Sequence, residues 1–270
     1  MPELPEVETV ARGLAKRVSG DAIESIWLGS KKEPLKSPAK LIARTLEGAR
    51  IVTVRRVGKQ IVFDLLNPSA RPSQWIVHLG MTGQMLVCSP DAAIKKHTHA
   101  IAKLASGKEL RFVDPRRFGR LSVASNGDFA GTGLEPLEID AESFIRLFRG
   151  RKAPIKSALL NQKLLGGVGN IYADEALFRA GIRPRRRAGS LTREQLTKLH
   201  QSLKKVLKEA IRLGGSSISD YVDADGEEGF FQLRHRVYGR EGEPCLICKT
   251  PVERIVIAGR SSHYCPTCQK

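Results

Sequence analysis

Several features are scarce or missing in this sequence. No apolar run approaches the roughly 18 residues that a membrane-spanning helix needs. The chain starts Met-Pro-Glu-Leu-Pro-Glu, where a secretory signal peptide would carry a basic region. Acidic residues are also few, because 28 Asp and Glu stand against 45 Lys and Arg in 270 residues. We therefore expect a cytoplasmic protein with no membrane association and a strongly basic surface.

The charge imbalance points to a polyanionic partner. A formal net charge of +17 makes the surface repel itself, and nucleic acid is the usual partner of such a chain. An acidic membrane surface is less favoured, because the basic residues are spread along the chain and do not form one amphipathic helix. The positive charge by itself is also consistent with a surface that only keeps the protein in solution and binds no polyanion. The ordinary content of 41% hydrophobic residues excludes general disorder.

Four of the five cysteines are arranged as a metal-ligand pattern rather than as a disulfide framework. Two C-x2-C pairs are separated by 16 residues, which is the spacing of a structural zinc site. A disulfide interpretation fits a cytoplasmic chain poorly. The intervening residues predict a hairpin with Arg260 at its turn, either a groove-reading side chain or a solvated arginine. The predicted ligands of one structural Zn²⁺ are Cys245, Cys248, Cys265 and Cys268.

Hydrophobic periodicity divides the chain into an N-terminal helix, a β-rich part and a helical part. Residues 6–18 have helical spacing, and residues 22–125 contain short β-branched runs typical of a sandwich or barrel. A helix from about residue 171 to 180 follows a glycine-rich stretch, with Asn170 as its expected N-cap. That stretch is either a phosphate-binding helix terminus or a flexible turn. Thr192 and Gln195 predict a capping box for the next helix.

The extreme N-terminus offers a candidate nucleophile. Removal of Met1 would expose the secondary amine of Pro2, and a free α-amino group has a pKa of about 8, well below that of lysine. Such an amine can attack an electrophilic carbon and form an iminium. Glu3 and Glu6 lie close in sequence and could serve as general acid and base. These residues are equally compatible with an ordinary helix start.

Six motifs, in this order along the whole chain, together resemble the bacterial formamidopyrimidine-DNA glycosylases. The motifs are Met-Pro-Glu-Leu-Pro-Glu at the start, His-Leu-Gly-Met-Thr-Gly at 78–83, Asp-Pro-Arg-Arg-Phe-Gly at 114–119, Gly-Val-Gly-Asn-Ile-Tyr-Ala at 167–173, Val-Tyr-Gly-Arg at 237–240 and the four-cysteine finger.

The resemblance implies an α+β fold with four parts. We expect an N-terminal β-sandwich domain that carries the N-terminal helix, a linker, a helix-two-turn-helix domain and a C-terminal zinc finger. The expected boundaries are 1–131, 132–142, 143–232 and 233–270. Residues 219–232 resemble the lesion-recognition loop of the family.

The resemblance further implies base-excision repair of oxidised purines in duplex DNA by a monomeric glycosylase and AP lyase. The implied catalytic residues are Pro2, Glu3, Glu6 and Lys59. Met81, Arg116 and Phe118 match the wedge that fills the gap left by a flipped nucleotide, and Lys156, Asn170 and Arg260 match phosphate-binding residues. Gln60 departs from the apolar residue that relatives often carry after the lysine, which weakens the alignment at Lys59.

Three other functions are open on the sequence alone. An endonuclease VIII-like enzyme would prefer oxidised pyrimidines, but that branch typically has glycine where Leu4 stands and lacks this wedge. A non-catalytic zinc-finger DNA-binding protein or an RNA-binding protein would explain the charge. Neither explains Pro2 occurring together with the wedge residues. His97 and His99 form at most a weak metal-ligand pair.

Overall fold

The fold is described from a computed structural model that covers all 270 residues except Asn126, Asp128, Ala130 and residues 218–220. Ser219, where the expected lesion-recognition loop begins, and its neighbour Asp220 therefore lie outside the described residues. Within the described part of the chain, no helix combines the length and the apolar character needed to cross a membrane. The chain forms two compact units, Met1–Phe129 with Leu213–Phe230 and Ala130–Arg212 with Phe231–Lys270.

The first unit is a β-sandwich with two helices. Every strand pair in its two four-stranded sheets is antiparallel. The helices are α1 (Leu4–Val18) and α2 (Ala39–Leu46). One sheet has the order β1 (Ile23–Leu28), β6 (Thr98–Leu104), β7 (Glu109–Val113), β5 (Gln84–Cys88), and the other β2 (Arg50–Val57), β3 (Gln60–Leu66), β4 (Pro72–His78), β8 (Arg120–Ala124).

One apolar core holds this unit together. Both sheets contribute side chains to it, for example Phe63 and Trp75 from one sheet and Phe112 from the other, and α1 adds Val10 and Leu14. The predicted helix and the predicted β-rich segment are thus confirmed. Burial of this apolar surface supplies the main stabilising free energy, and the loops at the sheet ends are left to carry polar side chains.

The segment Leu213–Phe230 belongs to the first unit, although the sequence assigned it to the helical domain. Tyr221 and Ala224 are buried in the core of the sandwich, and the amide of Val87 donates to the Ala224 carbonyl at 3.1 Å. Two apolar side chains and a strand-like hydrogen bond therefore attach this segment to the sandwich. The four expected domain boundaries stay a prediction.

In its described residues, the second unit contains four α-helices and a two-stranded hairpin. α5 and α6 pack against each other, and the Thr192–Gln195 capping box is confirmed, with both reciprocal hydrogen bonds present. Helix α3 begins at Ala141 behind the N-cap Asp140, inside the predicted linker. The elements are α3 (Ala141–Phe148), α4 (Ile155–Leu159), α5 (Asn170–Ala180), α6 (Arg193–Arg212), β9 (Glu253–Ile257) and β10 (Arg260–Tyr264).

Candidate functional site

Pro2 and Glu3 are buried at the N-terminal end of α1. Glu3 is the N-cap residue, and its amide donates to Oε2 of Glu6 at 2.8 Å, which completes a reciprocal capping box. Pro5 stands in the first turn, where a missing amide hydrogen costs nothing. Two carboxylates are therefore held beside Pro2 at a helix N-terminus, where the helix dipole favours negative charge.

The same Glu6 carboxylate also fixes the start of the segment Leu213–Phe230. Its Oε1 accepts the amide of Ser216 at 2.8 Å. Gly215 has φ +84°, and a Cβ there would lie 2.9 Å from the Glu6 side chain. The hydroxyl of buried Tyr221 donates to the carbonyl of Gly214 at 3.0 Å, and burial raises the pKa of this phenol, as does the charge of Glu6. Glu6 thus links the N-terminus to the segment expected to recognise the lesion.

Lys59 lies in the tight turn between β2 and β3. Gly58 supplies the positive φ of +57° that the turn needs. Arg56 braces this turn, because its guanidinium donates to the Gly58 carbonyl at 3.1 Å and to Glu8 of α1 at 2.7 Å. Burial acts to raise the pKa of Glu8, but hydrogen bonds from Arg12 and Arg56 outweigh it and hold that pKa below its usual range. The carboxylate therefore stays charged and keeps the turn in place.

The three expected wedge residues lie on two neighbouring loops of the first unit. Met81 is 37% exposed in the loop between β4 and β5, and Phe118 is 53% exposed in the loop between β7 and β8. The exposed Arg116 guanidinium lies 5.0 Å from the centroid of the Phe118 ring. Two exposed apolar side chains beside a cation are suited to an environment that offers both base stacks and hydrogen-bond acceptors.

A cleft of about 460 Å³ brings the N-terminus and the wedge together. Its lining includes Met1, Gln60, His78, Met81 and Phe118. His78 accepts the amide of Gly80 on Nδ1 at 3.0 Å. Burial lowers the pKa of His78, and nearby positive charges act in the same direction, so the ring is neutral at pH 7 and carries its proton on Nε2.

His78 and Arg120 are candidate functional residues to which the sequence interpretation gave no role. They are register partners on β4 and β8, and both line the cleft. The signal was present for each, because His78 opens the motif at 78–83 and Arg120 directly follows the motif at 114–119. Only strand pairing shows that the start of the first motif lies beside the end of the second.

Lys156 is deeply buried in the second unit. Its side chain is 0% exposed, and Nζ lies 2.7 Å from Oδ1 of Asp174 and donates to the Ser261 carbonyl at 2.6 Å. The other oxygen of Asp174 accepts the amide of His263 at 2.9 Å. Lys156 therefore ties α4 and α5 to the hairpin of β9 and β10. Contact with a phosphate would require the ammonium group to leave this ion pair, so that role stays a prediction.

The expected N-cap of α5 is wrong by one residue. Gly169 is the N-cap, with φ −132° and ψ −164°, and Asn170 is the first helical residue. A glycine caps well here because the backbone is extended and the preceding residues are buried. Arg260 is exposed at the first position of β10, beside the tight turn at Ala258 and Gly259, as the hairpin interpretation predicted.

The four predicted metal ligands form one cluster at the base of the hairpin. All four Sγ atoms lie within 4.8 Å of one another, and within the described ranges no other group of three or more candidate ligands does so. His99 instead bonds the Asp114 carbonyl through Nε2 at 2.9 Å. Backbone amides of Ile247 and Cys268 approach sulfur atoms of the cluster at 3.4 Å.

The chemistry of the cluster fits a single zinc ion. Burial raises the pKa of Cys265 and Cys268, and the neighbouring thiols add to that effect. Four thiolates cannot share so small a volume without a cation to offset their charge. Zinc–sulfur bonds of about 2.3 Å in a tetrahedron need sulfur atoms roughly 3.8 Å apart. The sulfur atoms of Cys245 and Cys268 are 3.9 Å apart and those of Cys248 and Cys265 are 3.4 Å apart, so the cluster has the right size. The finger thus holds one structural zinc, with no coordination position left for a substrate.

Comparison with known families gives three matches in the expected order. The formamidopyrimidine-DNA glycosylase N-terminal domain matches residues 1–121. The formamidopyrimidine-DNA glycosylase H2TH domain matches residues 132–222. The zinc finger found in FPG and IleRS matches residues 242–270.

Individual relatives are similar over their full lengths. The formamidopyrimidine-DNA glycosylase of Solibacter usitatus is 47% identical, with 100% of both chains covered. Among solved structures, the MutM (FPG) protein from Thermus thermophilus has a TM-score of 0.87 at 43% identity, covering 99% of this chain and 98% of that one. A Lactococcus lactis FPG variant in complex with a Fapy-dG containing DNA has a TM-score of 0.90 at 35% identity, with 100% of both chains covered.

Proposed function

Because the chain belongs to the formamidopyrimidine-DNA glycosylase family, we propose that it excises oxidised purines from duplex DNA and then cuts the strand. The observation that carries this function is the cleft that Met1 shares with Met81 and Phe118. Because Pro2 directly follows Met1, this lining supports a reaction at the amine that removal of Met1 would expose, close to the proposed wedge side chains. A pure DNA-binding protein has no need of a buried Pro2–Glu3 pair at this position.

The reaction begins at the nitrogen of Pro2 once Met1 has been removed. Its lone pair attacks C1′ of the flipped nucleotide, the glycosidic bond breaks, and the departing base takes the bonding electrons and a proton. Loss of the amine proton leaves Pro2 joined to C1′ of the closed sugar. The nitrogen lone pair then breaks the C1′–O4′ bond, O4′ takes a proton and becomes a hydroxyl group, and an iminium links Pro2 to the opened sugar. Elimination of the 3′ phosphate and then of the 5′ phosphate releases the sugar remnant from the strand.

Glu3 is assigned the acid role on the sugar, and Glu6 a supporting one. Glu3 stands next to the nucleophile and is nearly inaccessible to water, at 4% exposure. Glu6 accepts amides from Glu3 and Ser216 with its two oxygens, so it orients both the catalytic terminus and the lesion segment. Its assistance to proton transfer would therefore act through a carboxylate whose position is already fixed.

The wedge residues compensate for flipping the nucleotide, which costs a few kcal/mol. Met81 and Phe118 fill the emptied stack with apolar surface, and Arg116 donates to the acceptors of the orphan cytosine. Lys59 meets the phosphate near the lesion, and Asn170 and Arg260 supply further phosphate contacts. Phosphate neutralisation releases counterions, so binding weakens as salt increases.

The partner is double-stranded DNA with oxidised bases, and the protein acts as a monomer in the bacterial cytoplasm at the nucleoid. The proposed division assigns the chemistry to residues 1–131. Besides the wedge residues and Lys59, further DNA contacts come from residues 143–232 and from the finger at 233–270, whose zinc keeps Arg260 in place. No zinc chemistry enters the reaction, because four cysteine ligands close the site.

The test is to trap the iminium. The protein is incubated with a duplex that carries 8-oxoguanine opposite cytosine in the presence of borohydride, and the adduct is mapped by mass spectrometry. We expect one adduct, at Pro2. A matched protein with one extra residue before Pro2 should bind the duplex and form no adduct. Intact binding without an adduct on this or on a ring-opened purine substrate would contradict the proposal, and an adduct formed only with oxidised pyrimidines would reassign the lesion class.

A further inference from the structure

Two loops carry the wedge, and one buried carboxylate joins them. Oδ1 of Asp114 accepts the hydroxyl of Thr82 at 2.6 Å, and Oδ2 accepts the amide of Gly119 at 2.7 Å. The amide of Arg116 approaches both Thr82 Oγ1 and Asp114 Oδ1 at 3.3 Å. Asp114 is 0% exposed. The carboxylate thus closes the loop that presents Arg116 and Phe118, and through Thr82 it binds that loop to the loop that presents Met81.

Backbone packing leaves these loops little room to rearrange. Gly80 has φ +66°, and a Cβ there would lie 2.5 Å from the carbonyl carbon of Phe118 and from the amide of Gly119. Arg117 has a positive φ of +57°, which is strained for a residue with a side chain. The amide of Gly83 donates to the Leu79 carbonyl at 2.8 Å and closes the first loop. A strained, close-packed arrangement of this kind persists only where the surrounding contacts stabilise it by more than the strain costs.

The backbone of Asp114 is itself held from the strand side. The carbonyl of Asp114 accepts from His99 Nε2 at 2.9 Å, and its amide donates to the carbonyl of His97 at 3.0 Å. The two histidines that the sequence offered as a weak metal pair therefore serve to anchor Asp114. Its carboxylate accepts from Thr82 and Gly119, and hydrogen bonds in so buried a site are stronger than in water.

We propose that Thr82 and Asp114 are positioning residues that hold Met81, Arg116 and Phe118 in the wedge arrangement before DNA arrives. The proposal rests on the proposed function. Neither residue touches the reacting atoms. Their effect is to remove the conformational entropy that the wedge loops would otherwise lose on binding, and to fix the direction of the Arg116 backbone. The orientation of Arg116 is what separates cytosine from other bases opposite the lesion.

The test compares three threonine variants. Thr82→Val keeps the shape and removes the hydroxyl, Thr82→Ser keeps the hydroxyl, and Thr45→Val removes a hydroxyl that donates to the Leu41 carbonyl in α2. Each variant is assayed for excision of 8-oxoguanine opposite cytosine and opposite adenine. Each is also assayed for cleavage of a single-stranded oligonucleotide that already contains an abasic site. The last substrate needs the Pro2 chemistry but offers no stack for the wedge to enter.

We expect Thr82→Val to lower kcat/KM on the cytosine duplex about tenfold and to narrow the preference for cytosine over adenine. Its cleavage of the single-stranded abasic substrate should fall less than about twofold. Thr82→Ser should restore both duplex properties, and Thr45→Val should match the wild type. Wild-type excision and wild-type opposite-base preference in Thr82→Val would overturn the proposal. An equal loss on the single-stranded substrate would also overturn it, because the damage would then not be specific to the wedge.

A measurement without DNA separates this proposal from the proposed function. Amide hydrogen exchange at Arg116 and Gly119 should be faster in Thr82→Val than in the wild type, and should return to the wild-type rate in Thr82→Ser. Unchanged exchange would overturn the positioning role, whatever lesion the enzyme acts on. If the wild type excises no oxidised purine while the exchange behaves as expected, the lesion assignment fails and the preformed arrangement of the loops stands.

Discussion

The two units of this protein stabilise their exposed loops in different ways. In the first unit, a continuous apolar core of both sheets and α1 lies beneath the wedge loops and the β2–β3 turn. Around the finger of the second unit, a separate buried cluster is small, and its members are Phe178, Val237, Cys245, Val252 and Cys265. Two of those five are metal ligands, so there is little apolar burial to stabilise the hairpin.

Buried polar groups replace the missing core around the finger. The Lys156–Asp174 ion pair reaches the hairpin at Ser261 and His263, and Glu175 accepts three consecutive backbone amides on one oxygen. Such contacts fix geometry well, but removal of one partner leaves a buried group unsatisfied. We therefore expect the stability of the hairpin bearing Arg260 to be far more sensitive to single polar substitutions than that of the sandwich.

Removal of zinc should produce the largest difference in stability between the finger and the sandwich. Structural zinc contributes roughly 10–16 kcal/mol to folding of small fingers, which no cluster of a few residues can replace. We expect Cys245→Ser or chelation to unfold β9 and β10 and weaken DNA binding while the sandwich stays folded. Amide hydrogen exchange in β9, β10 and β3 measures this, with Cys88→Ser as the control that retains zinc. If the amides of β9 and β10 stay fully protected from hydrogen exchange in zinc-free protein, this prediction is wrong.

The buried ion pair should give the next largest effect. Lys156→Met leaves Asp174 charged and buried without its cation, so we expect a loss of about 3–5 kcal/mol in the free energy of unfolding of the second unit. Lys152→Met, at an exposed position nearby, should cost under about 0.5 kcal/mol. Chemical denaturation measures both. A Lys156→Met protein that binds DNA weakly at unchanged stability would show instead that Lys156 acts only as a phosphate ligand.

Substitution of a glycine where two backbone segments of the sandwich lie close together should cost less stability than loss of the ion pair. Gly80→Ala combines a positive φ with a clash against the backbone at Phe118, and we expect it to cost about 3 kcal/mol. Gly20→Ala has φ +90° but no atom within 4 Å, so only the conformational part remains, about 1 kcal/mol. Thermal unfolding of the two variants measures the difference. Equal losses of stability in the two variants would mean that the backbone at residues 118–119 can shift away from the new Cβ at little cost.

The smallest expected effect concerns the charge of Glu175. Burial raises its pKa in the folded protein, although the three amides that it accepts act in the opposite direction. A raised pKa means that folding takes up a proton, so the carboxyl group contributes less stability as pH rises above 4.5 and through the folded pKa. Glu175→Gln keeps an acceptor oxygen and has no charge to bury.

We therefore expect Glu175→Gln to lie within about 1 kcal/mol of the wild type at pH 7. The free energy of unfolding of the variant should increase relative to that of the wild type as pH rises from about 4 to about 7. Denaturation at several pH values tests the sign, and Glu175→Ala, which removes the acceptor, should be clearly less stable than either. If the wild type instead becomes more stable relative to the variant as pH rises, the folded protein favours the charged form of Glu175.

Local signals in the sequence were sufficient for much of the fold and for part of the site. The Thr192–Gln195 capping box, the helix that follows Pro2–Glu3 and the four-cysteine spacing each depend on residues a few positions apart, and each is present as predicted. The Asn170 cap failed for a local reason too, because glycine and asparagine compete for adjacent positions there. In such cases the physical cause acts within one or two turns of the chain.

Contacts between distant segments could not be predicted in this way. Nothing near Thr82 indicates that it meets Asp114, and nothing near Lys156 indicates that Asp174 and Ser261 will bury it. The placement of Leu213–Phe230 in the first unit likewise depends on where Tyr221 and Ala224 find apolar neighbours. The burial and pairing of these groups follow from how strands and helices pack against one another. The hydrophobic periodicity of the sequence does not predict that packing.

Local spacing and residue type were sufficient to predict helix α1, the Thr192–Gln195 capping box and the four zinc ligands. The packing of distant segments is what brings Met1 into one cleft with Met81 and Phe118, Glu6 to the amide of Ser216, and Lys156 to a carboxylate. The physical reason is that a buried polar group must find a partner wherever packing brings one within hydrogen-bond distance.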